Sequence, residues 1–309
     1  MFTILSQAFN RTARNWKMVL TVFIVNISFG LILAAPLYNV LQSEAQSSLE
    51  FNKLISGFDL TVIIDFLSKS GKSLPPFWLL GFALSVIYLV LNIFFAGGIL
   101  SQFALRGTFR LNEFFRNCTH YFGKFLVVFL IELVALLGVC IISFILLGIS
   151  LIASDGSTEP VQMAWLTPSL LISGFMFTVV LNVGNYAKVI LFKNFSLNAW
   201  LGFWKATNYI FHNFKTMRIY WAILVVAVIL VLFYLFLESA IGLSSAFKIF
   251  VMFFVQQAFI FGRVFLKMWM LSGAFDYLSL KPIPLAPSPF SAATQAKELS
   301  DDSENKLSD

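Results

Sequence analysis

Residues 122–153 read FGKFLVVFLIELVALLGVCIISFILLGISLIA, an apolar run whose only charged side chains are Lys124 and Glu132. A hydrocarbon core about 30 Å thick is crossed by about 20 residues of α-helix, and this run is longer than that. A membrane barrel strand would need about ten residues of alternating polarity, which the run does not show. Because lipid offers the backbone no hydrogen-bond partners, the run is predicted to be a membrane-spanning helix.

Five further runs have the same character, so the chain is predicted to form six spanning helices. They extend over Met18–Leu41, Phe77–Leu105, Trp165–Phe192, Met217–Leu237 and Ile249–Phe275. Of the 309 residues, 59% are hydrophobic and 12% are charged, whereas an average soluble domain is about half apolar and about a quarter charged. This composition excludes a soluble globular enzyme. It predicts an all-α, polytopic membrane bundle.

Basic residues mark one side of the predicted bundle. Lys and Arg predominate in the N-terminal segment and in the second and fourth connectors, whereas the first, third and fifth connectors are neutral or acidic. Basic connectors of multi-pass proteins face the cytoplasm, so both termini are predicted to be cytoplasmic, and we interpret the membrane as a prokaryotic inner membrane. The formal charge of +6 is dispersed beside the apolar runs, which favours anionic lipids over nucleic acid as partners.

Three segments that mix aromatic residues with cations precede the first, third and fifth spans: Phe2–Lys17, Phe109–Lys124 and Phe195–Lys215. In the second segment, helical spacing places Phe114 and Cys118 opposite Arg116. This pattern is typical of an amphipathic helix that lies in the membrane interface.

Short matches relate these segments to one another. Phe2, Asn10, Thr12 and Lys17 recur as Phe109, Asn117, Thr119 and Lys124. Glycines also recur near the ends of the second, fourth and sixth spans, at Gly98, Gly184 and Gly262. One interpretation is that the chain contains three repeats, each an interfacial helix followed by a membrane hairpin. The other is that the matches arise by chance from the biased amino-acid composition.

The segments outside the membrane differ in kind. The first outer connector, residues 42–76, is predicted to form two short surface helices, the second capped by Asp59. Residues 281–309 are rich in proline and then in acidic, Ser and Lys residues, which predicts a disordered cytoplasmic tail. The predicted organisation is therefore a transmembrane domain over residues 1–280, followed by this tail.

Polar residues inside spanning helices are costly, and they are candidates for function. Glu132 in the third span and Arg263 in the sixth are predicted to lie at similar depth, where they could form an ion pair. Four amides lie at about that level: Asn26, Asn182, Asn185 and Gln256. One interpretation is a proton or ion relay, or a site for a lipid headgroup. The other is a structural clamp between helices, with Lys267 reaching toward the interface.

Sequence motifs of catalysis are absent from the chain. It has no His-Glu-x-x-His metalloprotease motif, no Gly-x-Ser-x-Gly nucleophile elbow and no glycine-rich phosphate loop. His120 and His212 lie in basic connectors, where they are either ligands of a metal or, more simply, interfacial residues. We predict a protein that is not an enzyme and that holds no cofactor and no metal.

Phe95-Ala96-Gly97-Gly98 ends the second span and Asn185-Tyr186-Ala187-Lys188 ends the fourth, each followed by an aromatic connector. In these features the chain resembles a broad group of six-helix prokaryotic membrane proteins, which includes the membrane domain attached to some glycerophosphodiester phosphodiesterases. The resemblance extends over most of residues 1–280 and implies an accessory or partner role in the membrane. It implies no phosphodiesterase activity, because no hydrolase domain accompanies these residues, and no site residues transfer.

Two functions remain open at this point. The favoured one is an accessory or scaffold protein whose basic inner face holds anionic lipid or a cytoplasmic protein partner. The cations proposed for this face are Arg110, Arg116, Lys205 and Lys215. The alternative is a transporter for a small solute or a lipid, with a polar site near Glu132 and Arg263. A cavity that reaches Glu132 would favour the transporter, because a scaffold needs none.

Overall fold

The computed structural model describes residues 2–45, 74–105, 109–241 and 245–282. Within these ranges the chain forms eight α-helices and no β-strand, which confirms the predicted all-α fold. The helices are α1 (Phe2–Arg14), α2 (Trp16–Ala45), α3 (Leu74–Ala104), α4 (Leu111–Ala153), α5 (Glu159–Lys193), α6 (Ala199–His212), α7 (Lys215–Ile241) and α8 (Ala246–Leu280). Most of the outer connector and nearly all of the tail lie outside the described residues, and so do the predictions made for them.

Six of these helices are long and apolar enough to cross a membrane, namely α2, α3, α4, α5, α7 and α8. They coincide with the six predicted runs, so the chain is a multi-pass integral membrane protein. Helix α5 begins at Glu159, before the predicted Trp165, and has Pro160 in its first turn. Proline suits that position because it lacks the N–H that a first turn leaves unbonded. Pro168 is accommodated inside the same helix, as transmembrane helices allow.

The three aromatic and basic segments adopt two kinds of structure. The first and third contain separate helices, α1 and α6, but residues 111–124 are simply the first turns of α4, a helix of 43 residues. The prediction of a separate interfacial helix over Phe109–Lys124 is therefore wrong. Phe114 and Cys118 are buried against α3 rather than facing lipid. Packing on a helix and lying on a bilayer require the same apolar face, so the sequence pattern cannot separate them.

Contacts between the helices mostly join neighbours in the chain, and the three-repeat interpretation stays a prediction. The spans pair as hairpins, α2 with α3, α4 with α5 and α7 with α8. The segment before each hairpin packs on the second helix of the preceding one, the start of α4 on α3 and α6 on α5. Helix α1 closes the ring on α8, where Trp269 Nε1 donates to Leu5 O (3.0 Å) and Phe9 meets Trp269 edge to face.

Most of the buried residues lie in the halves of the spans that adjoin the basic connectors. They include residues 93–103 of α3, 182–191 of α5, 216–223 of α7 and 264–278 of α8, stretches in which only Arg218 and Lys267 are exposed. The opposite halves present exposed apolar side chains, such as Ile145 of α4. The bundle is therefore tightly packed at its basic end, and this packing fixes the positions of the polar residues described below.

Gly98 is predicted to be required for the contact between α3 and α4. A Cβ atom here would lie 2.5 Å from Cys118 Sγ and 2.6 Å from a ring carbon of Phe114. We expect Gly98→Ala to lower the free energy of unfolding in mixed micelles by about 1–3 kcal/mol, the usual cost of overpacking a core. The matched control is Gly123→Ala in α4, where a Cβ atom meets open space. Equal stability of the two variants would contradict this role of Gly98.

Candidate functional site

All six spans contribute side chains to one cavity of about 700 Å³. Its polar lining, in the part of the chain that the structure describes, comprises Asn26, Tyr88, Asn92, Glu132, Asn185, Lys188, Tyr220, Arg263 and Lys267. The rest of the wall is apolar. Binding sites for small molecules typically have volumes of about 300–1,000 Å³ and combine apolar walls with a few polar groups. The cavity therefore has the size and composition of a ligand site.

The structure brings together the four residues that were proposed as a polar cluster: Asn26, Glu132, Asn185 and Arg263 all line the cavity. The two other amides do not. Asn182 is buried elsewhere and donates from Nδ2 to Met217 Sδ (3.2 Å), and Gln256 is not part of the lining. Similar depth thus grouped four residues from four different helices correctly, but it did not exclude two amides that face elsewhere.

Glu132 pairs with a different cation from the one expected. Its carboxylate accepts from Lys188 Nζ at 3.2 Å, and the two side chains are 7% and 16% exposed. The expected ion pair with Arg263 is not formed. The reason is local, because α4 and α5 form one hairpin and Gly184 leaves the space that the carboxylate fills; a Cβ atom there would overlap it. Lys188 lies one turn after Gly184 and so faces the same carboxylate.

The two other cations of the cavity lie on α8. Lys267 Nζ donates to Asn92 Oδ1 (2.6 Å), and Asn92 Nδ2 in turn donates to Tyr88 O (2.8 Å). Lys267 is thus exposed and bonded to α3, and the interpretation in which it reaches toward the interface stays a prediction. The Arg263 guanidinium contacts the ring of Phe259, 5.9 Å from its centroid. Neither cation has an acidic partner within the described residues.

A buried layer closes the cavity toward the basic connectors. Arg11 of α1 is central to it: Nη2 pairs with Asp276 Oδ1 of α8 (2.8 Å) and Nη1 donates to Phe103 O of α3 (2.8 Å). At the same end, Tyr209 of α6 donates to Lys281 O (2.9 Å). Burial raises the pKa of Tyr209, so its hydroxyl stays a neutral donor. These bonds tie α1 and α6 to the ends of the spans.

The cavity is open elsewhere. Arg263 and Lys267 are exposed although both lie well inside α8. Leu89 and Leu181 also line the cavity, and they are 40% and 38% exposed. A ligand can therefore reach the charged residues without displacing the buried layer.

Four polar residues of the site are not predicted from the sequence. Tyr88, Asn92 and Tyr220 lie within apolar runs, and the charge pattern assigns Lys188 to the fourth connector, whereas the structure places it in the cavity. A signal for Lys188 was present, because it follows Asn185 by three residues and so shares its helix face. Asn92 carried a signal too, as an amide within an apolar run.

The cations proposed for a lipid or partner face lie outside the cavity. Arg110, Arg116 and Lys215 are exposed, Lys205 is partly buried, and Arg110 pairs with Glu113 at 3.2 Å. The histidines are exposed as well. His120 stacks on Phe195 with ring centroids 4.5 Å apart, and His212 Nδ1 lies 2.9 Å from Asn208 O.

No family model, no curated protein and no solved structure matches this chain.

Removal of Lys188 is predicted to destabilise the protein because it leaves the buried Glu132 carboxylate without its cation. We expect Lys188→Gln to lower the free energy of unfolding in mixed micelles by about 3 kcal/mol, as is usual when one partner of a buried pair is removed. The double variant Glu132→Gln, Lys188→Gln should recover most of that loss. A double variant as unstable as Lys188→Gln would contradict the pairing.

Proposed function

We propose that this integral membrane protein is a non-enzymatic carrier that binds the anionic group of a lipid or of a small solute in the intramembrane cavity. The observation that carries the proposal is the imbalance of charge in the lining. Three cations, Lys188, Arg263 and Lys267, face one acid, Glu132, among the described residues that line it.

Uncompensated charge is costly inside a membrane, which is why ionisable residues there usually pair with one another or line a pathway. Arg263 and Lys267 stand four residues apart on α8, so their like charges lie one turn apart and repel each other. An anion between them would relieve this repulsion and stabilise both. Arginine suits this role because its planar fork of donors matches carboxylate and phosphate oxygens.

The apolar part of the wall favours an amphipathic ligand. Leu89, Leu181 and Ile260 line the same cavity as the charged residues. A lipid that enters from the bilayer would place its head against the cations and keep its chains beside these side chains. Of the two functions considered from the sequence, the transporter is therefore the better supported.

The accessory function is kept as a second candidate because of the outward faces of α4 and α6. Trp200 and Trp204 of α6 are 68% and 66% exposed, and the adjacent Lys205 is partly buried. Aromatic and basic residues together suit the headgroup region of a bilayer that contains anionic lipid. In this candidate, Arg110, Arg116, Lys205 and Lys215 hold anionic lipid or a cytoplasmic protein at a prokaryotic inner membrane.

The carrier predicts that anionic lipid binding depends on the cavity cations. In phosphatidylcholine nanodiscs, wild-type protein should bind fluorescent phosphatidylglycerol more tightly than fluorescent phosphatidylcholine. The double variant Arg263→Gln, Lys267→Gln should bind phosphatidylglycerol at least about tenfold more weakly, because a hydrogen bond to a charged group is worth about 1.5–3 kcal/mol.

The matched control is Lys17→Gln, Arg218→Gln, which removes one Lys and one Arg that do not line the cavity and should bind as wild type. A second comparison separates the candidates. If the cavity variant binds as wild type while Arg110→Gln, Arg116→Gln loses binding, the carrier is rejected in favour of the accessory function.

A further inference from the structure

The net charge of the cavity indicates how much negative charge its ligand carries. Lys188 and Glu132 neutralise each other through their ion pair, 3.2 Å long. Arg263 and Lys267 also line the cavity, and in the described chain neither has an acid within ion-pair distance. Two positive charges are therefore in excess, one turn apart on a single helix.

We infer that the ligand carries a phosphate monoester. This group brings a charge of about −1.5 to −2 at pH 7, because its second pKa is about 6. A phosphodiester or a carboxylate brings one negative charge and would leave one cation uncompensated. The inference rests on the proposed anion-binding function and names the ligand class of the same site.

The hydrogen-bond donors that remain free around the cavity suit three phosphate oxygens. Among the described residues, the Arg263 guanidinium makes no hydrogen bond and lies over the ring of Phe259, and Lys267 donates one of its N–H groups to Asn92. The side-chain amides of Asn26 and Asn185 make no hydrogen bond within the described residues. Phosphate oxygens accept several strong hydrogen bonds from such charged and neutral donors.

The spacing of Arg263 and Lys267 also favours a phosphate monoester. Residues four apart on a helix have Cβ atoms about 5–6 Å from each other on one face. The long side chains of Arg263 and Lys267 can therefore both reach one phosphate. In the empty cavity the two cations repel each other. A dianion bound between them attracts both and offsets this repulsion, whereas a monoanion offsets it only in part.

Two sources of this chemistry fit the cavity. One is a lipid with a terminal phosphate, such as phosphatidic acid, whose chains would lie along the apolar wall. The other is a water-soluble phosphate monoester. Both place the same group against Arg263 and Lys267, and a competition experiment distinguishes them.

The test measures binding of fluorescent phosphatidic acid and fluorescent phosphatidylglycerol to full-length protein in phosphatidylcholine nanodiscs. At pH 7.5 we expect phosphatidic acid to bind at least about tenfold more tightly. The preference should fall toward one at pH 5, because the phosphate monoester loses its second charge below its second pKa of about 6. Displacement of the lipid by glycerol phosphate would assign the soluble source, and its failure to displace would assign the lipid source.

A variant tests the charge balance itself. Lys267→Gln leaves one positive charge in excess, so the preference for phosphatidic acid at pH 7.5 should fall to about one while phosphatidylglycerol still binds. Arg218→Gln removes a cation outside the cavity and should keep the wild-type preference. Because the readout is a ratio of two ligands on the same protein, partial misfolding does not imitate it.

Two results would overturn the inference. Wild-type protein that binds phosphatidylglycerol as tightly as phosphatidic acid at pH 7.5 would show no selection for the second charge. If the Lys267→Gln variant still prefers phosphatidic acid over phosphatidylglycerol, the preference does not come from the second excess charge. Failure of the proposed function would look different, since then neither anionic lipid would bind more tightly than phosphatidylcholine.

Discussion

Four charged side chains line the cavity where six apolar helices meet, and only two of them neutralise each other. Glu132 and Lys188 form an ion pair 3.2 Å long between neighbouring helices of one hairpin. Arg263 and Lys267 remain without an acid in the described chain and line the same cavity. Because charge inside a membrane must be paired, hydrated or functional, this imbalance is the constraint from which the proposed role follows.

Packing explains why the charges meet there. Gly98, Gly184 and Gly262 each lie where a Cβ atom would come too close to a neighbouring helix, against Phe114, the Glu132 carboxylate and Leu230 respectively. The approaches at Gly98 and Gly184 lie in the packed basic halves of their spans, and the approach at Gly262 lies near the middle of α8. The bonds of Arg11 to Asp276 and Phe103 link the helices at the basic end. The polar cavity lies next to this packed layer. Each of the three hairpins contributes both of its spans to this one cavity.

The sequence was sufficient for the features that depend on length and depth. Six apolar runs predicted six spans, and the depth of Glu132, Arg263, Asn26 and Asn185 predicted that they would be neighbours. It was not sufficient for features that depend on the rotation of one helix against another. Lys188, rather than Arg263, pairs with Glu132 because the hairpin contact at Gly184 orients both, and no periodicity encodes that contact. The sequence also did not show that residues 111–124 are the first turns of α4. Phe114 and Cys118 form the same apolar pattern whether another helix or lipid covers them.

Whether the cavity is an anion site can be seen directly in a cryo-electron microscopy structure. The protein would be imaged in nanodiscs that contain phosphatidic acid, at a resolution that shows headgroups. We expect headgroup density between Arg263 and Lys267, with Glu132 still bonded to Lys188. An empty cavity, or one collapsed so that Glu132 pairs with Arg263, would contradict it and leave the ionised residues as a structural clamp.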